Sequence, residues 1–271
     1  MLDPLLIRWL DVQAQALDVG SCDPQEVLPR LAEANVLRVG VPKSLGGLGG
    51  DVTGAVEAIA NVASHSLAAA FVCWGQRSFI EYLLQSPNAQ LREQLLPDLL
   101  TGKLAGATGL SNAMKFLSGI ESLQISAEPT DEGWNLNGRL HWVTNLRKNG
   151  FVVAAAIEHA QGGAPFILAI PDSVAGLRRS LDLELLGLQS SNTAALGFEA
   201  VELSRDWLLH DDARKFLPAV RPAFLGLPCG MSIGLARRSL AEVANHLAPP
   251  ARCCARSLKC CALTSITRLP T

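Results

Sequence analysis

The apolar positions of roughly the first hundred residues recur at the period of a helix, and those of the next hundred do not. Leu5, Leu6, Trp9, Leu10, Gln13 and Leu17 lie near one helical face, which predicts a first helix ending by Gly20. Asp23-Pro24 reads as a helix start, an N-cap acceptor followed by the residue best tolerated at the first helical position, and Val27, Leu28 and Leu31 supply the buried stripe. A glycine-rich loop from Gly40 to Gly50 interrupts the pattern. Asp51 then opens a helix to Ala63, and further helices are expected over Ser66 to Leu84 and from Ser86-Pro87 to about Leu100.

At Leu104 the period changes. Leu104 to Leu110, Ser122 to Ala127, Trp134 to Trp142, Phe151 to Ile157, Pro165 to Ile170, Leu177 to Leu183 and Thr193 to Leu203 are short β-type segments between turn clusters such as Pro129 to Gly133 and Gln161 to Gly163. Short strands at this spacing predict a sandwich or barrel. From Asp211 the helical period returns and runs to about Leu247. Helices and strands that come in blocks, without alternating, argue against a doubly wound sheet and for an α+β multidomain chain. The expected division is an all-α N-terminal domain (1–103), a middle β domain (104–210), the first helix of an incomplete C-terminal helical-bundle domain (211–247) and an atypical Cys-rich tail (248–271).

Composition narrows the choice. With 49% hydrophobic and 18% charged residues the chain is more apolar than a typical soluble domain, which suggests large buried interfaces. A formal charge of −2 and scattered basic residues give no basic stripe, so nucleic acid is not an expected partner. The apolar runs Leu67 to Gly75 and Pro222 to Ala236 fall short of the roughly 18 to 20 residues of a membrane span, so no membrane partner is expected. Met1-Leu2-Asp3-Pro4 has an acid where a secretory signal carries positive charge, and a cytoplasmic location is the expectation. Of the seven cysteines, Cys22, Cys73 and Cys229 read as small buried hydrophobes. The Cys253-Cys254 and Cys260-Cys261 pairs have the wrong spacing for zinc knuckles, and no His pair has metal-ligand spacing.

The stretch from Gly138 to Asn145 carries the chemistry. A turn-forming Asn137-Gly138 pair is expected to deliver the chain into an extended segment in which Trp142 and Thr144, two apart, point to one side, with His141 on the other as a rim residue. An aromatic plane beside a hydroxyl suits a flat heteroaromatic ring, which needs an apolar surface to stack on and a donor for its ring edge. Gly230-Met231-Ser232-Ile233-Gly234 matches the G-x-S-x-G pattern of serine hydrolases, but only Glu242 and His246 follow, on the same helix, and no βα alternation precedes. Small residues where two helices pack closely are the expected reading.

Several strings, in order, resemble the acyl-CoA dehydrogenase family of flavoproteins over about residues 3 to 247. Val41-Pro42 through Gly46-Gly47-Leu48-Gly49 is similar to a VPxxxGGLG loop, and Gln90 to Gly102 to the Q-x-x-x-L-P-x-L-x-x-G helix before the β domain. Asn137-Gly138 to Thr144-Asn145 resembles the NGxKxWITN signature, with Leu140 in place of Lys. Leu186-Gly187-Leu188 through Ser191-Asn192-Thr193 to Phe198 and Val201 resembles the LGxRxSDTxxxxFxxV strand pair, and Gly234 to Leu240 the first long helix of the third domain.

The resemblance implies FAD as cofactor, held by Leu110, Ser111, Trp142, Val143 and Thr144, with Ser118 touching substrate and cofactor. It further implies α,β-dehydrogenation of an acyl-CoA thioester, a possible electron-transfer partner, and a homo-oligomer where the full C-terminal domain is present. Two departures stand out. The family's (L/V)TEPxxGSD segment is here Leu110-Ser111-Asn112-Ala113-Met114-Lys115-Phe116-Leu117-Ser118, without its Pro and Gly-Ser-Asp turn. The family's Glu base usually lies further along the third domain, and the alternative position near the start of that domain corresponds to Val220 or Phe224, neither of which accepts a proton. The chain therefore reads as a C-terminally truncated member whose catalytic base is unknown. The alternatives are a flavin-dependent monooxygenase of the same fold acting on a small organic substrate, and a member that catalyses nothing.

Overall fold

The structure is a computed structural model and describes residues 2–246; the Cys-rich tail lies outside the described residues. Helices α1 (Pro4–Asp18), α2 (Val27–Glu33), α3 (Val52–Ala63), α4 (Leu67–Gln85) and α5 (Ala89–Leu100) come first. Their starts follow the side chains that satisfy orphan N–H groups. The Asp51 carboxylate accepts from Gly54 N–H, the Ser66 hydroxyl from Ala69 N–H and the Asn88 amide oxygen from Leu91 N–H. The last of these corrects the expected start of α5 at Ser86-Pro87: Ser86 is instead buried, with its hydroxyl on the Leu209 carbonyl at 2.6 Å.

Strands β1 (Ala105–Thr108), β2 (Ile125–Pro129), β3 (Gly133–Val143), β4 (Phe151–His159), β5 (Phe166–Pro171), β6 (Leu177–Arg179), β7 (Ala194–Ser204) and β8 (Leu208–His210) form an eight-stranded sheet in the order β6-β7-β3-β2-β4-β5-β8, with β1 beside β4. Between β2 and β4 the pairing runs only over Ser126–Glu158 and Ala127–His159. At this narrow link the β6-β7-β3-β2 wing meets the wing of β4, β5, β1 and β8. Trp134 of β3 stacks on Phe166 of β5 at 4.7 Å, so side chains of the two wings share one interior. On β4, Phe151, Val153, Ala155 and Ile157 enter that interior, whereas Val152, Ala154 and Ala156 join a second core with α4 and α5. Burial on both faces explains why β4 and β5 read as unbroken apolar runs.

Two short elements escaped the sequence pattern: β8, and the helix α6 (Ser111–Leu117) within the Leu110 to Ser118 segment. The expected single helix after Asp211 is two, α7 (Ala213–Gly226) and α8 (Cys229–His246). Asn137-Gly138 also differs from expectation. It is no turn but the middle of β3, where Gly138 pairs with Ile125 and a Cβ would lie 2.1 Å from the Gln124 carbonyl.

Taken together, Ala213–His246 reaches a mean hydropathy of 1.3 over an 18-residue window, which the two separate apolar runs did not suggest. Only 33% of that window is buried, and Leu225, Ile233, Leu235 and Val243 are exposed. Phe216, Leu217 and Val220 of α7 join the second core, and Arg214, Lys215, Arg221, Arg237 and Arg238 lie on the exposed sides. Gly230 and Gly234 form a seam on α3, where an added Cβ would lie 2.5 Å from the Val56 carbonyl and 2.2 Å from the Ala60 carbonyl. Ser232, between them, is exposed. The G-x-S-x-G string is thus a packing seam, and Gly234→Val is expected to cost about 1 to 3 kcal/mol through overpacking, while Ser232→Ala changes stability by under about 0.5 kcal/mol. Urea midpoints of the two variants check this.

Candidate active site

Trp142 and Val143 end β3, Thr144 begins the turn after it, and an irregularity in the ladder aims them. Leu140 pairs with Leu196 and Val143 with Ala194, so three steps on β3 face two on β7. A bulge of this kind resets the alternation of side chains. Leu140 and Val143 both point into the core, and the residues between them, His141 and Trp142, are both exposed. His141 therefore shares a side with Trp142, against the expectation of opposite faces. Trp142 is 68% exposed, which is unusual for so large an apolar side chain.

Trp142 and Thr144 line one cavity of about 360 Å³ together with Phe71, Trp74, Thr108, Ser111, Leu185, Gly187, Leu188 and Thr193. The walls come from three places. From α4, Phe71 and Trp74 stack with ring planes 3° apart. The segment after β6 brings Leu185 and Leu188, and Asp18 of α1 holds it by accepting from Leu188 N–H at 2.8 Å. The polar groups are hydroxyls. Ser191 and Thr193 lie 2.7 Å apart, Thr193 and Thr144 3.2 Å, and Tyr82 and Thr108 2.8 Å. Burial holds the Tyr82 phenol well above its usual pKa, so it stays neutral. No charged side chain lines this cavity among the described residues.

A second cavity of about 180 Å³ shares Ser111 and Trp142 with the first and adds Gly109, Asn112, Lys115, Glu121, Gln124, Leu140 and His141. Lys115 and Asn112 both donate to the Glu121 carboxylate, and these bonds hold it below the usual carboxylate range. An apolar, hydroxyl-edged cavity continued by a polar one fits a ligand with a neutral aromatic ring system and a hydrophilic extension.

The residues expected to hold a flavin divide by position. Ser111, Trp142 and Thr144 line the cavities. Val143 is buried with its side chain in the core, so only its backbone is available. Leu110 likewise turns its side chain into the second core, and its N–H is directed at the Thr108 hydroxyl at 3.4 Å. Ser118 is not brought to the site. It caps the far end of α6, about 10 Å from Ser111 by helix rise, is exposed, and donates to the Met114 carbonyl at 3.2 Å. Of the two positions that correspond to the alternative base, Val220 is buried in the second core, and Phe224 packs edge-on against Trp74 at 6.0 Å. Phe71, Trp74, Thr108, Leu185 and Thr193 were not singled out from sequence as site residues. Leu188 and Thr193 stood within a recognised string, but nothing local marks Phe71 or Trp74 on an apolar helix as cavity wall.

Residues 10–103 match the family model described as the acyl-CoA dehydrogenase N-terminal domain. Over these residues the chain is similar to the acyl-CoA dehydrogenase family. Arabidopsis thaliana mitochondrial isovaleryl-CoA dehydrogenase is 28% identical over 192 residues, covering 69% of this chain and 46% of that protein. Mouse mitochondrial short-chain specific acyl-CoA dehydrogenase is 25% identical over 236 residues, covering 84% and 56%. The chain thus spans about half the length of the curated relatives it matches. Among solved structures, butyryl-CoA dehydrogenase from Megasphaera elsdenii superposes with a TM-score of 0.78 at 21% identity, covering 94% of this chain and 70% of that one. This likeness supports the order of helical, β and helical blocks seen here.

Proposed function

We propose that this chain is a member of the acyl-CoA dehydrogenase family and forms the flavin-binding part of an FAD-dependent oxidoreductase acting on an acyl-CoA thioester. The observation that carries the reading is the exposed Trp142 beside the buried Thr144 at the mouth of a neutral cavity. FAD, when bound, supplies the acceptor for the hydride that leaves the β carbon of the acyl group. The chain's own residues do the rest of the positioning. Trp142 offers a ring face, Thr144 and Ser111 offer hydroxyls for a heteroaromatic edge, and Phe71, Trp74, Leu185 and Leu188 exclude water from the apolar space. No carboxylate lines this space among the described residues, so no proton acceptor is assigned within it. An acyl-CoA substrate, an electron-transfer partner and assembly with further copies belong to the same reading.

Equilibrium dialysis of the purified chain against FAD tests it. About one FAD per chain, with a perturbed visible spectrum, is the expected result by analogy with other ring-stacking sites; no retention above buffer overturns the reading. Given binding, 2-enoyl-CoA formation with an artificial electron acceptor identifies dehydrogenation, and oxygen-dependent hydroxylation with reduced flavin identifies a monooxygenase instead.

A further inference from the structure

Gln76 lies on α4 and is fully buried, yet all its polar atoms are engaged. Its amide nitrogen donates to the carbonyls of Leu99 and Leu104, both at 2.9 Å, which tie it to the end of α5 and the entry to β1. Its amide oxygen accepts from Gly106 N–H at 2.6 Å and from the Asn145 side chain at 2.8 Å. Asn145 is also fully buried, and its second amide proton goes to the Gly106 carbonyl at 2.9 Å. It directly follows Thr144 and sits in the left-handed region, with φ of 65°. The two helix residues before it on α4 fit the same junction: Gly75 has no side chain where a Cβ would come within 3.2 Å of the Asn145 Cβ, and Trp74 faces the cavity.

We propose that Gln76 is a positioning residue that fixes the flavin-facing edge of β3 through Asn145. This rests on the flavin reading above. The Asn145 side chain is held from two sides, by Gln76 and by the β1 backbone, and its own backbone N–H donates to the Ser191 carbonyl at 3.0 Å. The exit of β3 is therefore clamped one residue beyond Thr144. Because Phe71 and Trp74 ride on the same helix as Gln76, the opposite wall of the cavity shares this reference. The Gln76 amide, with every donor and acceptor paired, holds one geometry, since any shift unpairs one of them; Asn145 is held through its two amide protons alone, its Oδ1 being buried with no partner among the described residues. The sequence offers no cue to the pairing, as the two residues are 69 positions apart.

The test separates positioning from bulk stability with two variants. Gln76→Met removes every bond. Gln76→Glu loses the donors to Leu99 and Leu104 but keeps an acceptor for Gly106 N–H and Asn145. Both are expected to melt at lower temperature. Only Gln76→Met should weaken FAD binding, by about tenfold when measured well below its Tm, with Gln76→Glu within about threefold of the parent. Affinity kept in Gln76→Met, or lost equally in both, overturns the proposal. Should Gln76→Met fail to fold, Asn145→Gly keeps the left-handed backbone and removes only the link. It must then show the tenfold loss. Hydrogen exchange on ligand-free protein gives a readout that does not depend on flavin: in Gln76→Met or Asn145→Gly, amides 143–146 should lose protection while amides 152–157 of β4 keep theirs. Unchanged protection at 143–146 overturns the proposal even if the chain binds no flavin.

Discussion

Replacing Glu81 by alanine is expected to lower the stability of the chain by about 3 to 5 kcal/mol, the cost of stranding a buried charge. Glu81 and Arg77 are one turn apart on α4 with side chains 7% and 1% exposed, and the Arg77 Nη2 lies 3.3 Å from the Glu81 Oε2. Among the described residues Arg77 has no other side-chain anchor. Its Nε and Nη1 are buried without partners, and burial already pushes the guanidinium below its ordinary pKa, with Glu81 opposing that shift. Removing Glu81 leaves the charge uncompensated and also frees the Gln85 side chain, which donates to Glu81 at 3.0 Å. The pair itself is not expected to be a strong net source of stability, because desolvation offsets much of the attraction. Arg77→Met with Glu81→Leu should therefore recover most of the loss. Urea unfolding of the single and double variants measures both effects, and a Glu81→Ala protein within about 1 kcal/mol of the parent would show that water reaches the site.

The second large effect is on the ligand. Trp142→Ala removes an exposed ring, so the melting temperature should hardly change, while FAD binding weakens by about ten- to a hundredfold through loss of a stacking face. Dialysis and the visible flavin spectrum read this directly. Unchanged flavin content in a folded Trp142→Ala protein would remove Trp142 from the site.

Most of the helical framework was legible because its cues are local. Asp51 and Ser66 cap their helices as their positions suggest, and the apolar runs of β4 and β5 are what burial on two faces requires. The site was legible only in part. Trp142 and Thr144 line one cavity, but Thr144 lies in the turn after β3, and the outward turn of His141 depends on a bulge between strands that are distant in sequence. Ser118 was placed at the site by resemblance alone, and the formation of α6 carries it away, since without the Pro and Gly-Ser-Asp turn nothing breaks that helix before its C-cap. The Gln76 clamp and the Phe71–Trp74 wall are tertiary. Their residues look like any other positions on an apolar helix until the fold brings the partners to them.

The seam between α3 and α8 has a consequence for how the chain reaches this state. It is fastened by Gly230 and Gly234 and by the paired bonds of Arg237 to Glu57, residues 180 positions apart. A contact that long in sequence returns nothing to a disordered chain until the entropy of closing the intervening loop has been met. Once β1 to β8 have formed, they span that gap as a folded body, and the remaining search is short. The expected order is therefore the sheet first and the docking of α8 on α3 after it.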